Sequence, residues 1–328
     1  MASVSVLIPA CNAEAYIKRA VRSALCQDID DLEVIVIENG VTDDTDKVLR
    51  EIDDDRLKIR ISEKGVSKAR NLGIKEAKGN FIVFLDADDE LLPGSLKAFS
   101  SYGEQYGADL LSGLFLNMKE KEQEEVFDKT NKNVFIKNML YNPTAESTVI
   151  CRCLRRDFLI KNKIFFDESL THAEDTLFLL EAAKKADVIV KLYKHTYCMH
   201  HRNDSVTYSK AEAGKYLAAI EKIRPLVQDT EFENAYYLFV LNQILILLVH
   251  KGFRTGNIKK DLAYFRELSK EDLFSEAIEK ARLTEELGLL KRLTLSWMKK
   301  NRLFLLWTAV KIRQRQNEKM IKKGDKAL

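Results

Sequence analysis

The sequence predicts an α/β fold in which a mostly parallel central sheet is flanked by helices and followed by a helical C-terminal region. Short runs that are almost wholly apolar, such as Val4–Ile8 and Glu33–Ile37, alternate with helical segments in the first hundred residues. Strands that are apolar on both faces are typical of parallel sheets covered on both sides. The 328 residues also contain only 13 glycines and 4 prolines, which argues against a turn-rich β sandwich.

The order of the elements follows from their patterns. We expect Pro9 to end the first strand and Asn12 to cap the first helix, because asparagine side chains accept backbone N–H groups at that position. The apolar face of this helix is Ile17, Ala20, Val21, Ala24 and Leu25. Further helices are predicted over 43–51, 66–77 and 174–185, and further strands over 57–61, 80–85 and 187–192. Beyond about residue 210 the pattern is helical, and residues 236–250 form the most apolar helix.

Charge is divided unevenly between the body of the chain and its tail. The whole sequence carries a net charge of +3. Residues 291–326 contain 12 Lys and Arg against only Glu318 and Asp325, so this segment carries +10 and the remainder −7. We therefore expect the tail to meet an anionic partner, and we expect the acidic body not to bind nucleic acid.

The strongest chemical signal is a group of three carboxylates, Asp86, Asp88 and Asp89, directly after the apolar run of residues 80–85. Two like charges ~4 Å apart repel by roughly 4 kcal/mol at an effective dielectric constant of 20. A divalent cation removes this cost, and Mg²⁺ or Mn²⁺ binds carboxylate oxygens together with substrate phosphates. The alternative is a helix N-terminus, which favours acidic residues and would place Pro93 in its first turn.

Two other features are expected at the same edge of the sheet, because ligands of open α/β sheets bind at the carboxyl ends of strands. Glu38 and Asn39 precede Gly40 after the second strand, where a polar side chain can pair with a base edge. The simpler interpretation of this segment is a plain turn. Arg70 lies one turn into a helix and is in reach either of a phosphate or of a surface acid.

Four segments together carry a resemblance to a known family. They are VSVLIPACN (4–12), EVIVIENGVTDDT (33–45), GVSKARNLGIKEAKGNFIVFLDADDELLPGSL (65–96) and EDTLF (174–178). Through these motifs the chain resembles the inverting family-2 glycosyltransferases with the GT-A fold, especially those of bacterial surface-polysaccharide synthesis. The resemblance implies a catalytic domain over 1–208, with a nucleotide-sugar half at about 1–100 and an acceptor half at about 101–208. Residues 209–328 fall outside the resemblance, and their pattern predicts a helical C-terminal region.

The resemblance also assigns roles to individual residues. The nucleotide-sugar residues that it implies are Pro9, Ala10, Asn12, Glu38, Asn39, Arg70, Asp86 and Ala87, with UDP as the usual nucleotide. Glu38 and Asn39 stand where the family usually has two aspartates, so the uracil contact differs from the common pattern. Asp88 is the implied ligand of Mn²⁺ or Mg²⁺, and Asp86 and His200 are further candidates. His201 and Arg202, which follow, are basic residues near the same point.

The expected reaction is metal-dependent transfer of a sugar from a nucleotide-sugar to a hydroxyl of a glycan or lipid-linked glycan. By the resemblance Asp175 is the general base, with Glu174 as the alternate, and in-line attack inverts the anomeric centre. Without the resemblance, the preferred explanation of both acids is that they are favourable charges at a helix N-terminus. Two other functions remain open from the sequence. One is a non-catalytic nucleotide- or glycan-binding module, and the other is a sugar nucleotidyltransferase.

The tail over 289–326 has an amphipathic pattern. Leu290, Leu293 and Trp297 share one helical face, and Leu303, Leu306, Trp307 and Val310 share another. Trp and Leu opposite Lys and Arg are typical of a helix in an anionic membrane interface. Packing on the catalytic domain, or in a homo-oligomer, is the alternative. Because the N-terminus lacks a basic segment and a long apolar run, we expect a cytoplasmic protein that contacts the inner face of the cell membrane peripherally.

Overall fold

The computed structural model describes residues 4–116, 124–127, 131–200 and 213–324. The chain divides into two compact units. The first consists of Met1–Ile136 and Ser147–His200, and the second consists of Lys137–Glu146 and His201–Leu328. The predicted domain boundary at residue 208 lies outside the described residues and stays a prediction.

The first unit alternates strands and helices as the hydrophobic pattern predicts. The elements described between residues 4 and 200 are β1 (Val4–Ala10), α1 (Ile17–Leu25), β2 (Leu32–Asn39), α2 (Thr45–Arg50), β3 (Leu57–Ser62), α3 (Val66–Glu76), β4 (Phe81–Phe84), β5 (Glu90–Leu91), α4 (Ser95–Tyr106), β6 (Leu110–Phe115), β7 (Glu124–Phe127), α5 (Lys132–Tyr141), α6 (Pro143–Glu146), β8 (Arg152–Arg155), α7 (Arg156–Lys161), α8 (Glu174–Lys185) and β9 (Ile189–Cys198). The second half of α5 and all of α6 belong to the second unit.

These strands form one sheet in the order β3-β2-β1-β4-β8-β6-β9-β5, and β7 pairs with β9. The strands β3, β2, β1 and β4 are parallel to one another, so their carboxyl ends meet at one edge. Beyond β4 the sheet is mixed, because β8 runs antiparallel to both β4 and β6 whereas β6 and β9 are parallel. The predicted α/β architecture is confirmed.

Helices cover both faces of the parallel strands. The predicted apolar face of α1 is buried in full, and it joins Val6 and Ile8 of β1 in one core cluster. On the opposite face α3 approaches closely at Gly73, where an added Cβ would lie 2.9 Å from Leu7 and 3.1 Å from Ile37. Because alternate residues of β1 point to opposite faces, the whole strand is buried, and all of its residues except Ser5 are apolar.

Two expectations about the first loop are wrong. The strand β1 continues past Pro9 to Ala10, because a proline near the end of a strand removes only one hydrogen bond from the ladder. Asn12 does not cap α1, which begins at Ile17. It has a left-handed backbone with φ of +50°, and its Oδ1 accepts hydrogen bonds from the Thr42 backbone N–H at 2.8 Å and the Thr42 hydroxyl at 3.2 Å.

The strand predicted at 187–192 is longer than its pattern suggests. It begins at Ile189 and ends at Cys198 as β9. Its second half pairs with the short strand β5, with Tyr197 opposite Leu91. This pairing joins residues that are far apart in the chain, so the local pattern alone did not predict it.

The second unit is helical, as predicted. Its described elements are α9 (Ala213–Glu221), a short 3₁₀ helix (Arg224–Leu226), α10 (Glu233–Leu247), a π-helical turn (Leu248–Gly252), α11 (Ile258–Leu268), α12 (Asp272–Lys280), α13 (Leu289–Lys299) and α14 (Leu303–Gly324). One described helical stretch, Glu233–Gly252, is long and apolar enough to cross a membrane, but 78% of its most apolar window is buried in the protein. It therefore has the character of a core helix.

The predicted second face of the tail is turned inward. Leu306 and Val310 of α14 are buried, and the Trp307 indole N–H donates a hydrogen bond to Asp261 Oδ2 at 2.9 Å. Asp261 is itself buried and also pairs with Lys311 at 3.2 Å. This part of the tail packs on α11, whereas Leu290 of α13 is 81% exposed.

Candidate active site

Asp86 begins the acidic loop after β4. Its backbone N–H donates a hydrogen bond to the Tyr197 hydroxyl at 3.1 Å, which ties the loop to the neighbouring strand β9. Burial raises the pKa of Asp86 to about 6, against the lowering effect of Arg70, and the charges of Asp175 and Asp88 act in the same direction as burial. The positive charge of Arg70 therefore offsets only part of the cost of ionising the Asp86 carboxyl.

The three acids of this loop have different environments. Asp89 is 3% exposed, and it accepts hydrogen bonds from the Tyr197 hydroxyl at 2.8 Å and the His200 backbone N–H at 2.7 Å. Burial, with the nearby charge of Asp86, raises its pKa to about 7. Asp86 and Asp88 are half-buried. Asp89 therefore anchors the loop, and the other two are the acids in reach of a ligand.

Arg19 and Glu90 hold the acidic loop through a hydrogen bond and an ion pair. The Arg19 guanidinium donates to the Asp88 carbonyl at 2.7 Å and pairs with Glu90 at 3.3 Å. The His200 imidazole Nε2 lies 2.7 Å from Glu90 Oε1. This geometry occupies one ring nitrogen of His200, and its role as a metal ligand stays a prediction. The neighbouring candidates, residues 201 and 202, lie outside the described residues.

Asp175 lies in the first turn of α8 and is held by three donors. Arg70 Nη1 donates to its Oδ1 at 2.6 Å, and the Thr148 hydroxyl and Val149 backbone N–H donate to its Oδ2 at 3.1 and 3.2 Å. Ala173, the residue that caps α8, has a left-handed backbone with φ of +57°. The resulting turn directs the first two acids of α8 toward Arg70.

Arg70 joins the two acidic segments. Its side chain is 6% exposed and lies 2.6 Å from Asp175, 3.5 Å from Asp86 and 3.6 Å from Glu174, with the guanidinium over the Phe166 ring at 5.2 Å. The structure places this arginine among three carboxylates. The expected approach of Arg70 to a phosphate stays a prediction. One positive charge against three negative ones leaves the centre anionic.

Glu174 titrates near neutral pH. Burial raises its pKa to about 7, and the adjacent charge of Asp175 adds to the effect while Arg70 opposes it. Its side chain is 17% exposed. Glu174 is therefore partly protonated at pH 7, whereas its neighbour Asp175 is the acid that the hydrogen bonds hold in one orientation.

Glu38 and Asn39 end β2 at the same edge, and the structure gives them different tasks. Asn39 Nδ2 donates to the Ala10 carbonyl at 3.0 Å, and its Oδ1 accepts from the Gly65 N–H at 3.4 Å. Both polar ends of Asn39 are therefore used within the protein. Glu38 is 6% exposed, and its Oε1 is buried and has no hydrogen-bond partner among the described residues. Burial, with the charge of Asp46, raises the pKa of Glu38.

The other expected nucleotide residues lie on the same edge. Pro9 and Ala10 are buried at the end of β1, Asn12 is exposed in the loop that follows, and Ala87 is half-buried between the two acids. The structure thus gathers the carboxyl ends of β1, β2 and β4 as predicted. The role of each residue toward a ligand stays a prediction.

Comparison with known proteins gives the family of the first half of the chain. The family model described as "Glycosyl transferase family 2" matches residues 5–162. The chain is 27% identical over 217 residues to the uncharacterized glycosyltransferase EpsJ of Bacillus subtilis. The aligned segment covers 62% of this chain and 62% of EpsJ. It is 29% identical over 258 residues to the poly(ribitol-phosphate) beta-N-acetylglucosaminyltransferase TarS of Staphylococcus aureus. This alignment covers 75% of this chain and 44% of TarS. Residues 5–162 belong to glycosyl transferase family 2.

A solved structure extends the likeness to the fold of nearly the whole chain. The crystal structure of S. aureus TarS 1-349 in complex with UDP-GlcNAc matches 96% of this chain and 92% of that one, with a TM-score of 0.67 and 20% identity. The fold that the sequence motifs predicted is confirmed, and the predicted family is confirmed for residues 5–162. The chain spans less than two thirds of the length of EpsJ and of TarS.

The acids of the family 2 domain fit a divalent cation that shares its coordination with a ligand. Among the described residues there is no group of three or more His, Cys, Asp or Glu side chains placed to hold a metal by themselves. Asp86 and Asp88 supply two half-buried carboxylates, and Mg²⁺ commonly binds through one or two carboxylates plus phosphates and water. Burial raises the pKa of Asp86, and a bound divalent cation would offset the cost of its buried charge.

Three residues of the first unit that matter for this site were not predicted. Tyr197 orients the acidic loop, Thr148 holds Asp175, and Arg19 holds the Asp88 carbonyl. Each acts over a sequence separation of 27 residues or more. Side chains of these types occur throughout the sequence, so no local pattern marks these three.

Proposed function

We propose that this chain is a glycosyltransferase that moves a sugar from a UDP-sugar to a hydroxyl of a glycan or lipid-linked glycan during cell-surface polysaccharide synthesis. The observation that carries the proposal is the Arg70 bridge, which brings the acids of α8 within one side chain of the acidic loop after β4. A donor-binding acid and a candidate base in such proximity are what glycosyl transfer needs. The TarS likeness, in fold and in family, supports the same reaction class.

The nucleotide end of the site supports a uracil base. Uracil presents one N–H donor on its pairing edge, and the buried Glu38 Oε1 lacks a hydrogen-bond partner among the residues that the structure describes. An unpaired buried acceptor costs free energy that a ligand N–H recovers. We therefore assign the base contact to Glu38, with Asn39 as the residue that supports the loop and Pro9, Ala10 and Asn12 beside it.

Asp88, with Asp86, would hold Mn²⁺ or Mg²⁺ together with the donor diphosphate. The ion would supply Lewis-acid stabilisation of the negative charge that grows on the leaving diphosphate. The chain contributes the shape of the loop, because Arg19 holds the Asp88 carbonyl and Tyr197 holds the Asp86 N–H. His200 is the remaining candidate ligand.

Asp175 would act as the general base. In the proposed step the acceptor oxygen bonds to the anomeric carbon, and the bond from that carbon to the diphosphate oxygen breaks. The bonding electrons leave with UDP, and the acceptor proton passes to the Asp175 carboxylate. Attack opposite the leaving group inverts the centre, so an α-linked donor yields a β-linked product. The hydrogen bonds from Arg70, Thr148 and Val149 fix the orientation of this carboxylate, which is the usual requirement for a base.

The experiment is a screen of UDP- and GDP-sugars with the full chain, with Mn²⁺ or with EDTA, measuring thermal shift and nucleotide release. We expect one UDP-sugar to stabilise the protein and to release UDP only with metal. Asp88→Asn should remove both effects. Asp175→Asn should keep donor binding and lower turnover by about 10²–10⁴. Asp157→Asn, at an exposed acid of α7 whose side chain is 90% exposed, is the control and should change neither.

The alternatives predict different products in the same assay. A non-catalytic binding module would be stabilised by a donor without releasing nucleotide at any acceptor concentration. A sugar nucleotidyltransferase would release pyrophosphate instead of UDP. Either result would overturn the proposed transfer reaction.

A further inference from the structure

The second unit exposes large apolar side chains on α13 and α14. Six of them are between 39% and 81% exposed: Leu289, Leu290, Leu293, Phe304, Leu305 and Ile312. Elsewhere in the described residues of this unit the large apolar side chains of α10 are mostly buried. Exposed apolar residues that gather on one pair of helices mark a surface that binds something.

Four of these six side chains, Leu290, Leu293, Leu305 and Ile312, border a groove of about 560 Å³. Leu290, Leu293 and Trp297 of α13 line one side, and Leu305 and Ile312 of α14 line the other. We call the groove, together with these five residues, the tail surface. It lies wholly within the second unit.

Basic side chains lie along the two helices that carry the tail surface, and most of them lack an acidic partner in the described residues. Two are paired, Lys311 with Asp261 and Arg292 with Glu285. Between residues 287 and 317 the sequence has eight Lys and Arg and no Asp or Glu. Lys300, Arg302, Arg313 and Arg315 are exposed, and none of these four has an acidic partner within 4 Å in the described residues. By contrast, Lys280 of the neighbouring α12 pairs with Glu276 at 2.7 Å.

We propose that the tail surface docks the second unit onto a membrane that contains anionic lipids. Apolar side chains would enter the boundary between headgroups and acyl chains, and the basic rim would face the lipid phosphates. A second copy of the chain fits less well, because a twofold contact would set one basic rim against another. Protein interfaces also have few charges at their centre.

Three residues of the predicted amphipathic tail take no part in this docking. Leu306, Trp307 and Val310 pack inside the unit or bond to Asp261. The membrane-facing residues are therefore those of the tail surface, and the sequence pattern alone did not separate the two sets. The proposal depends only on the second unit and holds whether or not the first unit transfers a sugar.

The test is co-sedimentation of the full chain with phosphatidylcholine vesicles, with and without 30% phosphatidylglycerol, at low and high salt. We expect binding to the anionic vesicles only, weakened by salt. Arg302→Gln/Arg315→Gln should lower the partition coefficient about 30-fold, since each basic residue near such a surface contributes about 1 kcal/mol. Leu290→Ser/Ile312→Ser should lower it by roughly tenfold or more.

Matched controls separate this surface from general charge and hydrophobicity. Lys259→Gln/Lys260→Gln removes two exposed charges from α11, and Ile61→Ser removes a 77% exposed isoleucine from the first unit. Both should bind vesicles as the unaltered chain does. Because Leu290 and Ile312 are exposed, their variants should keep the circular dichroism spectrum and thermal stability of the unaltered chain.

Three results would overturn the proposal. Equal binding to neutral and anionic vesicles would show that the basic rim does not contribute to binding. Absence of binding would show that the tail surface does not dock onto a membrane. Sedimentation velocity that shows an oligomer, dissociated by Leu290→Ser/Ile312→Ser, would assign the tail surface to a second copy. If these variants keep the donor-dependent UDP release of the unaltered chain, loss of vesicle binding does not bear on the proposed transfer reaction.

Discussion

Arg70 is the residue on which the charge balance of the site depends. It is buried against three carboxylates that belong to two distant segments of the chain. A buried ion pair is costly to assemble, but removal of one partner leaves the other charges unpaired in a poorly solvated environment. The three acids would then repel one another with no internal cation. Arg70 thus stabilises the anionic centre in the absence of any metal.

We predict that Arg70→Met lowers the free energy of unfolding by about 3–5 kcal/mol, because it leaves buried carboxylates unpaired. Urea denaturation followed by circular dichroism measures the change. Arg60→Met is the matched control, since Arg60 pairs with Glu76 at 3.2 Å on the surface with about two fifths of each side chain exposed. It should cost no more than about 1 kcal/mol. Equal losses in the two variants would contradict the importance of burial.

Glu174 predicts a pH dependence of stability. Its pKa in the folded protein is raised to about 7, so the folded state keeps a proton that the unfolded chain releases above its ordinary pKa of about 4.3. The stabilising effect is complete below pH 4 and is lost as the pH rises through 7. Glu174→Gln removes this pH-dependent loss of stability, because glutamine does not ionise. The melting temperature of the variant should therefore match the unaltered protein near pH 4.5 and exceed it by about 5 °C at pH 8.

Differential scanning fluorimetry across pH 4.5–8 measures this difference between the two proteins. Glu267→Gln, at an exposed position of α11, should give a difference that does not vary with pH. A flat difference for Glu174→Gln as well would show that Glu174 is ionised throughout, and its assigned environment would be wrong.

At the scale of elements, β4 is positioned by the close approach of the preceding turn to β1. The Gly79 N–H donates a hydrogen bond to the Ser5 hydroxyl at 2.8 Å, and a Cβ at this position would lie 2.6 Å from the Ser5 backbone nitrogen. The register of β4 on β1 follows directly, with Phe81 beside Val4. This register determines where Asp86 leaves the sheet.

We predict that Gly79→Ala destabilises the protein by more than about 2 kcal/mol, because a backbone atom must move to admit the methyl group. Gly107→Ala is the control. Gly107 has φ of +61° and open space around its Cβ position, so it should lose only the roughly 1–2 kcal/mol of a left-handed backbone. Chemical denaturation of both variants separates the clash from the backbone strain. A smaller loss in Gly79→Ala than in Gly107→Ala would contradict the close approach.

The whole molecule consists of two units, and the proposed donor site belongs to the first. A ligand that binds the folded state stabilises it by about 2.7 kcal/mol at a hundred times its Kd. We predict that UDP with Mn²⁺ increases amide hydrogen-exchange protection at residues 38–40 and 86–89 and leaves α13 and α14 unchanged. Mass spectrometry of the exchanged protein measures this. Asp88→Asn should abolish the increase, and protection that rises only in the second unit would place the ligand elsewhere.

The sequence by itself determined the edge of the sheet at which the site forms. Parallel strands end at one edge, so the residues that follow β1, β2 and β4 had to meet there once the apolar runs were assigned as strands. The acidic loop and the acidic start of α8 were also visible as local patterns. The family motifs added the prediction of a reaction class, because they join these segments in one order.

Only the tertiary structure decided how the charges are shared. Arg70 and Asp175 are 105 residues apart in the chain, and Tyr197 reaches Asp89 over 108 residues, so no local pattern could pair them. The same applies to Glu38, which retains a free buried oxygen among the described residues while Asn39 spends both polar ends on the backbone. Hydropathy and spacing report which face is buried, whereas hydrogen bonds between distant segments depend on how the elements pack.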